Sequence, residues 1–151
     1  MRVILQRVKS AKVEVDATTI GEIGQGLLVL LGVAHDDTVA DIDWLTKKLI
    51  QLRIFNDGED KMNLSIDDIG GSFLVVSQFT LYADAKKGNR PSYIRSAPPA
   101  VSMPLYEQFL DVLGQRFKGM IATGRFGAMM DVSLVNDGPV TILLDSRQQD
   151  F

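Results

Sequence analysis

The chain has no cysteine, a single histidine and a single tryptophan in its 151 residues. Without cysteine, disulfides, thiolate metal sites and thiol nucleophiles are excluded. One histidine cannot build a histidine-rich zinc site. That residue, His35, sits beside Asp36-Asp37 after an apolar run, and nothing in the sequence brings it to a nucleophile as a Ser-His-Asp triad requires. It reads as a surface-loop residue. The acidic stretch from Asp57 to Asp68 lacks the spacing of a calcium loop. Neither a metal nor a cofactor is therefore expected. Long hydrophobic runs are missing too. The longest, Leu27 to Ala34, is broken by Gly32 and too short to cross a bilayer, so no membrane partner is expected. Met1-Arg2 leads into a strand-like pattern with no signal-peptide core, and a cytoplasmic location is the expectation.

Charge is scarce in one sense and concentrated in another. The net charge of −3 argues against a protein that coats nucleic acid by bulk electrostatics. Asp57, Glu59, Asp60, Asp67 and Asp68 are opposed only by Lys61, whereas Lys86, Lys87, Arg90 and Arg95 form a basic stretch without an acid between Lys86 and Arg95. A local basic loop on an acidic chain suits a partner that touches one small region, such as an RNA end.

The length suits one domain, residues 1–151, with the tail from Asp145 expected to be loose. Val3 to Val8, Ala11 to Val15 and Ile20 to Gln25 read as strands. Leu27 to Leu31 reads as a strand buried on both faces. Gly24-Gln25-Gly26 precedes that strand rather than a helix, so it is no dinucleotide loop. Thr38 with Asp41 starts a helix whose Ile42, Leu45, Leu49 and Leu52 share one face. Phe73 to Val76 is a second buried strand. After a long loop with Pro91, Pro98 and Pro99, a second helix is expected to be capped by Ser102, with Pro104 in its first turn. Met129 to Val135 and Val140 to Leu144 read as two strands joined by a turn at Asn136–Pro139. The order implies an α+β chain: a largely antiparallel, barrel-like sheet with helices packed on it.

Two segments carry chemistry. Ser77-Gln78-Phe79-Thr80 stands where the second buried strand breaks off. Such a break can aim the N–H groups of Phe79 and Thr80 at the oxygen of a cleaved carbonyl, the kind of fixed donor that stabilises ester cleavage most. A Thr80 hydroxyl would need a neighbouring base to act as nucleophile, and none is visible, so positioning is favoured over attack. The plain alternative is a turn capping its own backbone. The other segment is Asn136-Asp137-Gly138-Pro139-Val140-Thr141, whose Asp-Gly is a hairpin signal and whose Pro139 is allowed at the first position of a strand.

The pair of segments, in this order and about sixty residues apart, together with Gln6-Arg7-Val8 and Gly124-Arg125-Phe126, resembles the signature of the D-aminoacyl-tRNA deacylases. The resemblance implies a homodimer with composite active sites that cleaves the ester of a D-amino acid at the aminoacylated 3′ end of tRNA. It implies that Gly138-Pro139 is a cis dipeptide inserted into the partner subunit's site, where its carbonyls exclude an L side chain and tolerate achiral glycine, including glycine mischarged on tRNA(Ala). Arg7 would hydrogen-bond those carbonyls. Phe126 would meet the terminal adenine, with Met129 and Met130 in the same pocket. Lys86, Lys87, Arg90 and Arg95, with Tyr93 among them, would hold acceptor-stem phosphates, a solvated loop being the other reading. The vicinal hydroxyl of the terminal ribose would assist water. A non-catalytic nucleic-acid-binding dimer is the alternative to the enzyme.

Overall fold

The computed structural model describes residues 1–149. Its spine is β1, in which buried Val3, Leu5, Val8, Ala11, Val13 and Val15 extend one 14-residue strand, Arg2–Val15, across what the sequence divided into two. β1 pairs antiparallel with β2 (Thr18–Ile23) through its second half and with β3 (Gly26–Gly32) through its first half. Its other edge carries β8 (Asp131–Asp145) along nearly its full length. On the far side of β3 the pairing is parallel, first to β6 (Ser72–Ser77) and then to β7 (Ile121–Thr123). Parallel neighbours need crossovers, and the two helices supply them. α1 (Val39–Gln51) lies between β3 and β6, and α2 (Pro99–Arg116) between β6 and β7. The sheet is thus antiparallel around β1 and parallel towards β7. It nearly closes, since a Cβ on Gly21 of β2 would stand 2.6 Å from the Thr123 carbonyl of β7. The turn-rich acidic stretch folds as a small two-stranded unit, β4 (Phe55–Asn56) with β5 (Met62–Leu64).

The sheet is apolar on both faces. Leu27, Val29, Leu31, Phe73 and Val75 join Ile42, Leu45 and Leu49 of α1 and Tyr106, Phe109 and Leu113 of α2 in one core. Each such fully buried side chain contributes about 1.5–3 kcal/mol. Val8, Val13, Leu28, Leu74 and Val76 fill the inside of the curled sheet. Because β3 and β6 feed both cores, their sequences are continuous hydrophobic runs.

Three further expectations are corrected. α2 begins at Pro99, with Pro98 as its cap residue, so Ser102 is not a cap. Its hydroxyl donates back to the Pro98 carbonyl at 3.1 Å, and Pro104 lies inside the helix. Asn136–Pro139 does not join two strands of a hairpin, because both flanks pair with β1 and form one strand, β8. The tail is not loose as far as Gln149. Asp145 and Ser146 are buried, Arg2 pairs with Asp145 at 2.7 Å, and the Met1 amino group donates to Ser146 Oγ at 2.7 Å and to Asp37 at 2.6 Å. Burial alone would raise the Asp145 carboxyl, but hydrogen bonds from Arg2 and the Arg147 N–H bring it below the ordinary range. Residues 150–151 of the expected tail lie outside the described residues. The α1 cap is as expected: the Asp41 carboxylate accepts from the Thr38 N–H at 2.7 Å. Among the described residues no helix is long and apolar enough to cross a membrane.

Candidate active site

The last ladder bond at the end of β6 runs from Gln78 N–H to the Leu31 carbonyl at 2.8 Å. Beyond it the chain tightens into a single 3₁₀ turn, Phe79–Tyr82. The bonds of this turn start with Leu81 N–H, donated to Gln78 O at 3.3 Å, and Ala83 N–H, donated to Thr80 O at 3.0 Å. The first donors of any helical turn lack an internal acceptor. Here the N–H groups of Phe79 and Thr80 have no hydrogen-bond acceptor among the described residues.

These residues line a cavity of about 690 Å³. Ser77, Gln78, Phe79 and Thr80 form one side. Ser102 and Tyr106 of α2 and the loop from Phe126 to Met130 form the other. Among the described residues the lining holds no aspartate, glutamate, histidine, lysine or arginine. Its ionisable side chains are Tyr93 and Tyr106. The Tyr106 hydroxyl donates to the Val75 carbonyl at 3.1 Å, and burial pushes its pKa up to about 12, so it is no base near neutral pH. The Thr80 hydroxyl oxygen accepts a hydrogen bond from the Gln78 side-chain amide. That polarity fixes the hydroxyl without drawing off its proton, as a nucleophile would require.

The structure therefore brings Ser77–Thr80 together with Phe126, Met129 and Met130. Phe126 is half-buried, its ring 5.6 Å from that of Tyr106, and Met129 stands 92% exposed beside the opening. Phe79 is also exposed and meets Tyr93 edge-on at 5.1 Å.

Gly138 and Pro139 do not line this cavity in the same chain. They project, exposed, from the middle of β8, and their peptide bond is cis. The two steps from Gln6 to Val8 on β1 face the five from Thr141 to Asn136 on β8, so the segment bulges out opposite Arg7. Gly138 has φ +142°, and a Cβ there would fall 2.7 Å from Val140 Cγ2 and 2.8 Å from Val140 N. Only glycine fits without strain.

Arg7 is 7% exposed, which rules out a solvent-facing strand arginine. Its Nε donates to the Asp137 carbonyl at 2.8 Å, and a terminal nitrogen donates to the Ile54 carbonyl at 2.6 Å and to Asn56 Oδ1 at 3.1 Å. It grips the peptide before Gly138; within one chain it does not hydrogen-bond the Gly138 or Pro139 carbonyls that the resemblance assigned to it.

The basic residues separate. Lys86, Lys87 and Arg90 are exposed on a loop closed by reciprocal Asp84–Ser92 backbone bonds of 2.8 Å, outside the cavity. Arg95 lines a different cleft of about 400 Å³ with Arg2, Tyr82 and His35. His35 Nε2 stands 3.0 Å from the Ile94 carbonyl, away from Ser77–Thr80. Sequence reasoning missed Tyr106 as a site residue, because it sits on the apolar stripe of α2. A buried tyrosine hydroxyl that must find a partner was the available signal. Asn56 was missed as well, hidden in turn-rich composition.

A family model described as D-Tyr-tRNA(Tyr) deacylase matches residues 4–145. A D-aminoacyl-tRNA deacylase of Thermosipho africanus is 57% identical over 148 residues, 98% of this chain and 99% of the relative. One of Clostridioides difficile is 57% identical over 149 residues, covering 98% and 99%. Among solved structures, the c-Myc DNA unwinding element binding protein superposes with a TM-score of 0.91 at 38% identity, over 96% of this chain and 98% of the other. A probable eukaryotic D-amino acid tRNA deacylase shares the fold, with a TM-score of 0.77 at 18% identity over 95% and 97%. Agreement of sequence from one end of the fold to the other decides the matter: the chain belongs to the D-aminoacyl-tRNA deacylase family of hydrolases.

Proposed function

We propose that this protein hydrolyses the ester linking a D-amino acid to the 3′ end of tRNA, acting in the cytoplasm as a homodimer with two composite sites. Each site takes Ser77–Thr80 from one subunit and Gly138-Pro139 from the other. One observation carries the reading: two free N–H groups, of Phe79 and Thr80, border a cavity whose lining offers no general base among the described residues.

In this reading the ester carbonyl oxygen lies against those two N–H groups, which stabilise the negative charge as the tetrahedral intermediate forms. Losing one such donor costs about 2.7–4 kcal/mol. The attacking water forms the new bond to the carbonyl carbon. Its proton passes by way of the vicinal ribose hydroxyl, and the ester oxygen leaves on the ribose and is protonated. Thr80, held by Gln78, positions the substrate. Phe126 stacks on the terminal adenine beside Met129 and Met130. The exposure of Gly138-Pro139 and its absence from its own chain's cavity support insertion into a partner. There the backbone carbonyls receive the α-amino group and leave room on one side for hydrogen only. An L side chain is excluded, a D side chain points outward, and glycine, including glycyl-tRNA(Ala), is accepted. Arg7 fixes the approach to that dipeptide through the Asp137 carbonyl. Lys86, Lys87, Arg90 and Arg95 attract the acceptor-stem phosphates.

The test is parallel incubation with D-tyrosyl-tRNA and L-tyrosyl-tRNA, following amino-acid release. Loss of the D ester with the L ester spared is expected. A stable monomer with full activity would defeat the composite site. Salt-sensitive binding to duplex DNA with neither ester cleaved would favour the binding-module reading, to which the name of the 38%-identical structural relative points.

A further inference from the structure

Among the described residues the Gly138-Pro139 bulge has no strand partner, since β1 offers only Arg7 opposite it. The exposed tip of the excursion can take water, but the polar groups at its base need partners from elsewhere. One side chain takes two of them. Asn136 Oδ1 accepts from the Val140 N–H at 2.8 Å, and its Nδ2 donates to the Val140 carbonyl at 3.2 Å. The same Nδ2 lies 3.3 Å from Thr141 Oγ1. The amide thus reproduces, across four residues of its own chain, the paired donor and acceptor that a neighbouring strand would present. A carboxamide sets a donor and an acceptor side by side on one planar group, and Asn at this reach leaves little slack. Arg7 holds the other shoulder of the bulge at the Asp137 carbonyl. Between the two clamps stand Gly138 and Pro139.

We infer that Asn136 is a positioning residue for chiral selectivity, closing the base of the bulge so that the Gly138-Pro139 carbonyls keep one direction. This rests on the proposed chiral filter and adds the residue that fixes it. Rejection of an L side chain by backbone depends on that backbone not moving aside. A bulge freed at Val140 can swing and admit the L ester, while alignment of the D ester also suffers. The selectivity ratio is therefore the informative readout. A residue that merely stabilised the fold would lower both activities through the amount of folded protein and leave their ratio intact.

The experiment compares kcat/KM for D- and L-tyrosyl-tRNA in the wild type, Asn136→Ala and Thr141→Val, with dimer content followed by size exclusion. Asn136→Ala is expected to lower the D/L ratio by about tenfold to a hundredfold, the range for a lost pair of hydrogen bonds that leaves backbone groups unpaired. Thr141→Val removes a hydrogen-bond partner of Asn136 but leaves the Val140 clasp, and should keep the wild-type ratio. A folded, dimeric Asn136→Ala with the wild-type ratio overturns the inference. Where that variant does not fold, Asn136→Asp decides. It keeps the acceptor for the Val140 N–H and sets a carboxylate oxygen against the Val140 carbonyl, so a reduced ratio supports the inference and an unchanged one overturns it. A wild-type protein that cleaves both esters alike fails at the filter itself, which is distinguishable because the defect appears before any substitution.

Discussion

At the Ser77–Thr80 turn two backbone N–H groups stand without an acceptor among the described residues, whereas at the Asn136–Val140 bulge side chains grip the backbone from both sides. Both are departures from a β-strand, and both would be turn chemistry in a composition table. The difference lies in what each backbone has left over. The turn keeps donors free, which suits an oxygen that gains charge only during reaction. The bulge has its N–H and carbonyl groups at the shoulders taken up, so that what remains projecting is a fixed shape. On the proposed function, one region would bind a transient charge and the other would refuse a side chain.

The largest effect that would test this division is expected from Gly138→Ala. The new Cβ would stand 2.7 Å from Val140 Cγ2 and 3.2 Å from an Arg7 terminal nitrogen, on a residue with φ +142°. Backbone strain of this kind costs about 3 kcal/mol at the upper end. A drop of about a hundredfold in kcat/KM for D-tyrosyl-tRNA is expected in a protein that still dimerises. Activity equal to wild type would mean that the bulge has no part in the site.

Phe126→Ala comes next and acts on the opposite region. The ring sits in the cavity against Tyr106. Stacking on a base is worth about 1–3 kcal/mol, so the KM for tRNA should rise by about tenfold with kcat much less changed. A fall in kcat with KM unchanged would show that the aromatic serves the reacting centre rather than the adenine.

How much of this was legible follows from the range of the interactions involved. The buried strands and the start of α1 could be read, since apolar continuity and the Thr38–Asp41 spacing are local. That the strand breaks off at Ser-Gln-Phe-Thr was legible too, but whether its donors stay free was not, since the same residues can form a turn that caps its own backbone. The single strand β8 was not. Asn-Asp-Gly-Pro is hairpin chemistry by every local measure, and only β1, more than a hundred residues away in sequence, shows that both flanks share one partner. The start of α2 was misread for a related reason. Ser102 can cap a helix or donate back to a carbonyl inside one, and Pro98-Pro99 decided for the latter by supplying a cap position and a first-turn proline. Arg7 could be named but its burial could not, since Ile54, just before β4, and Asn56 of β4 reach it from a distant part of the chain.

A smaller effect separates two roles for Thr80. Its oxygen accepts from Gln78, and no base lines the cavity among the described residues. If Thr80 positions the ester, Thr80→Ala should lower kcat by about three- to tenfold, the worth of one hydrogen bond of about 1 kcal/mol. A nucleophile would instead be lost to roughly the level left by removing a catalytic triad member, a fall of ~10⁴ or more. Single-turnover rates under saturating enzyme distinguish the two without ambiguity from binding.

The smallest effect is expected from the exposed loop that belongs to neither region. Lys86 and Lys87 are exposed and do not line the cavity, so they act on the substrate through attraction of phosphates, which salt screens within about 10 Å at 0.1 M. The double change Lys86→Ala and Lys87→Ala should raise KM for D-tyrosyl-tRNA by only about threefold at low salt, and reduce the salt slope of log KM by about 0.9 for each duplex phosphate that is no longer neutralised. The D/L ratio should not move, because neither the free N–H groups nor the gripped backbone is touched. A changed ratio would couple the loop to the filter, and the division of labour between turn and bulge would then have to include a third segment that closes over the substrate.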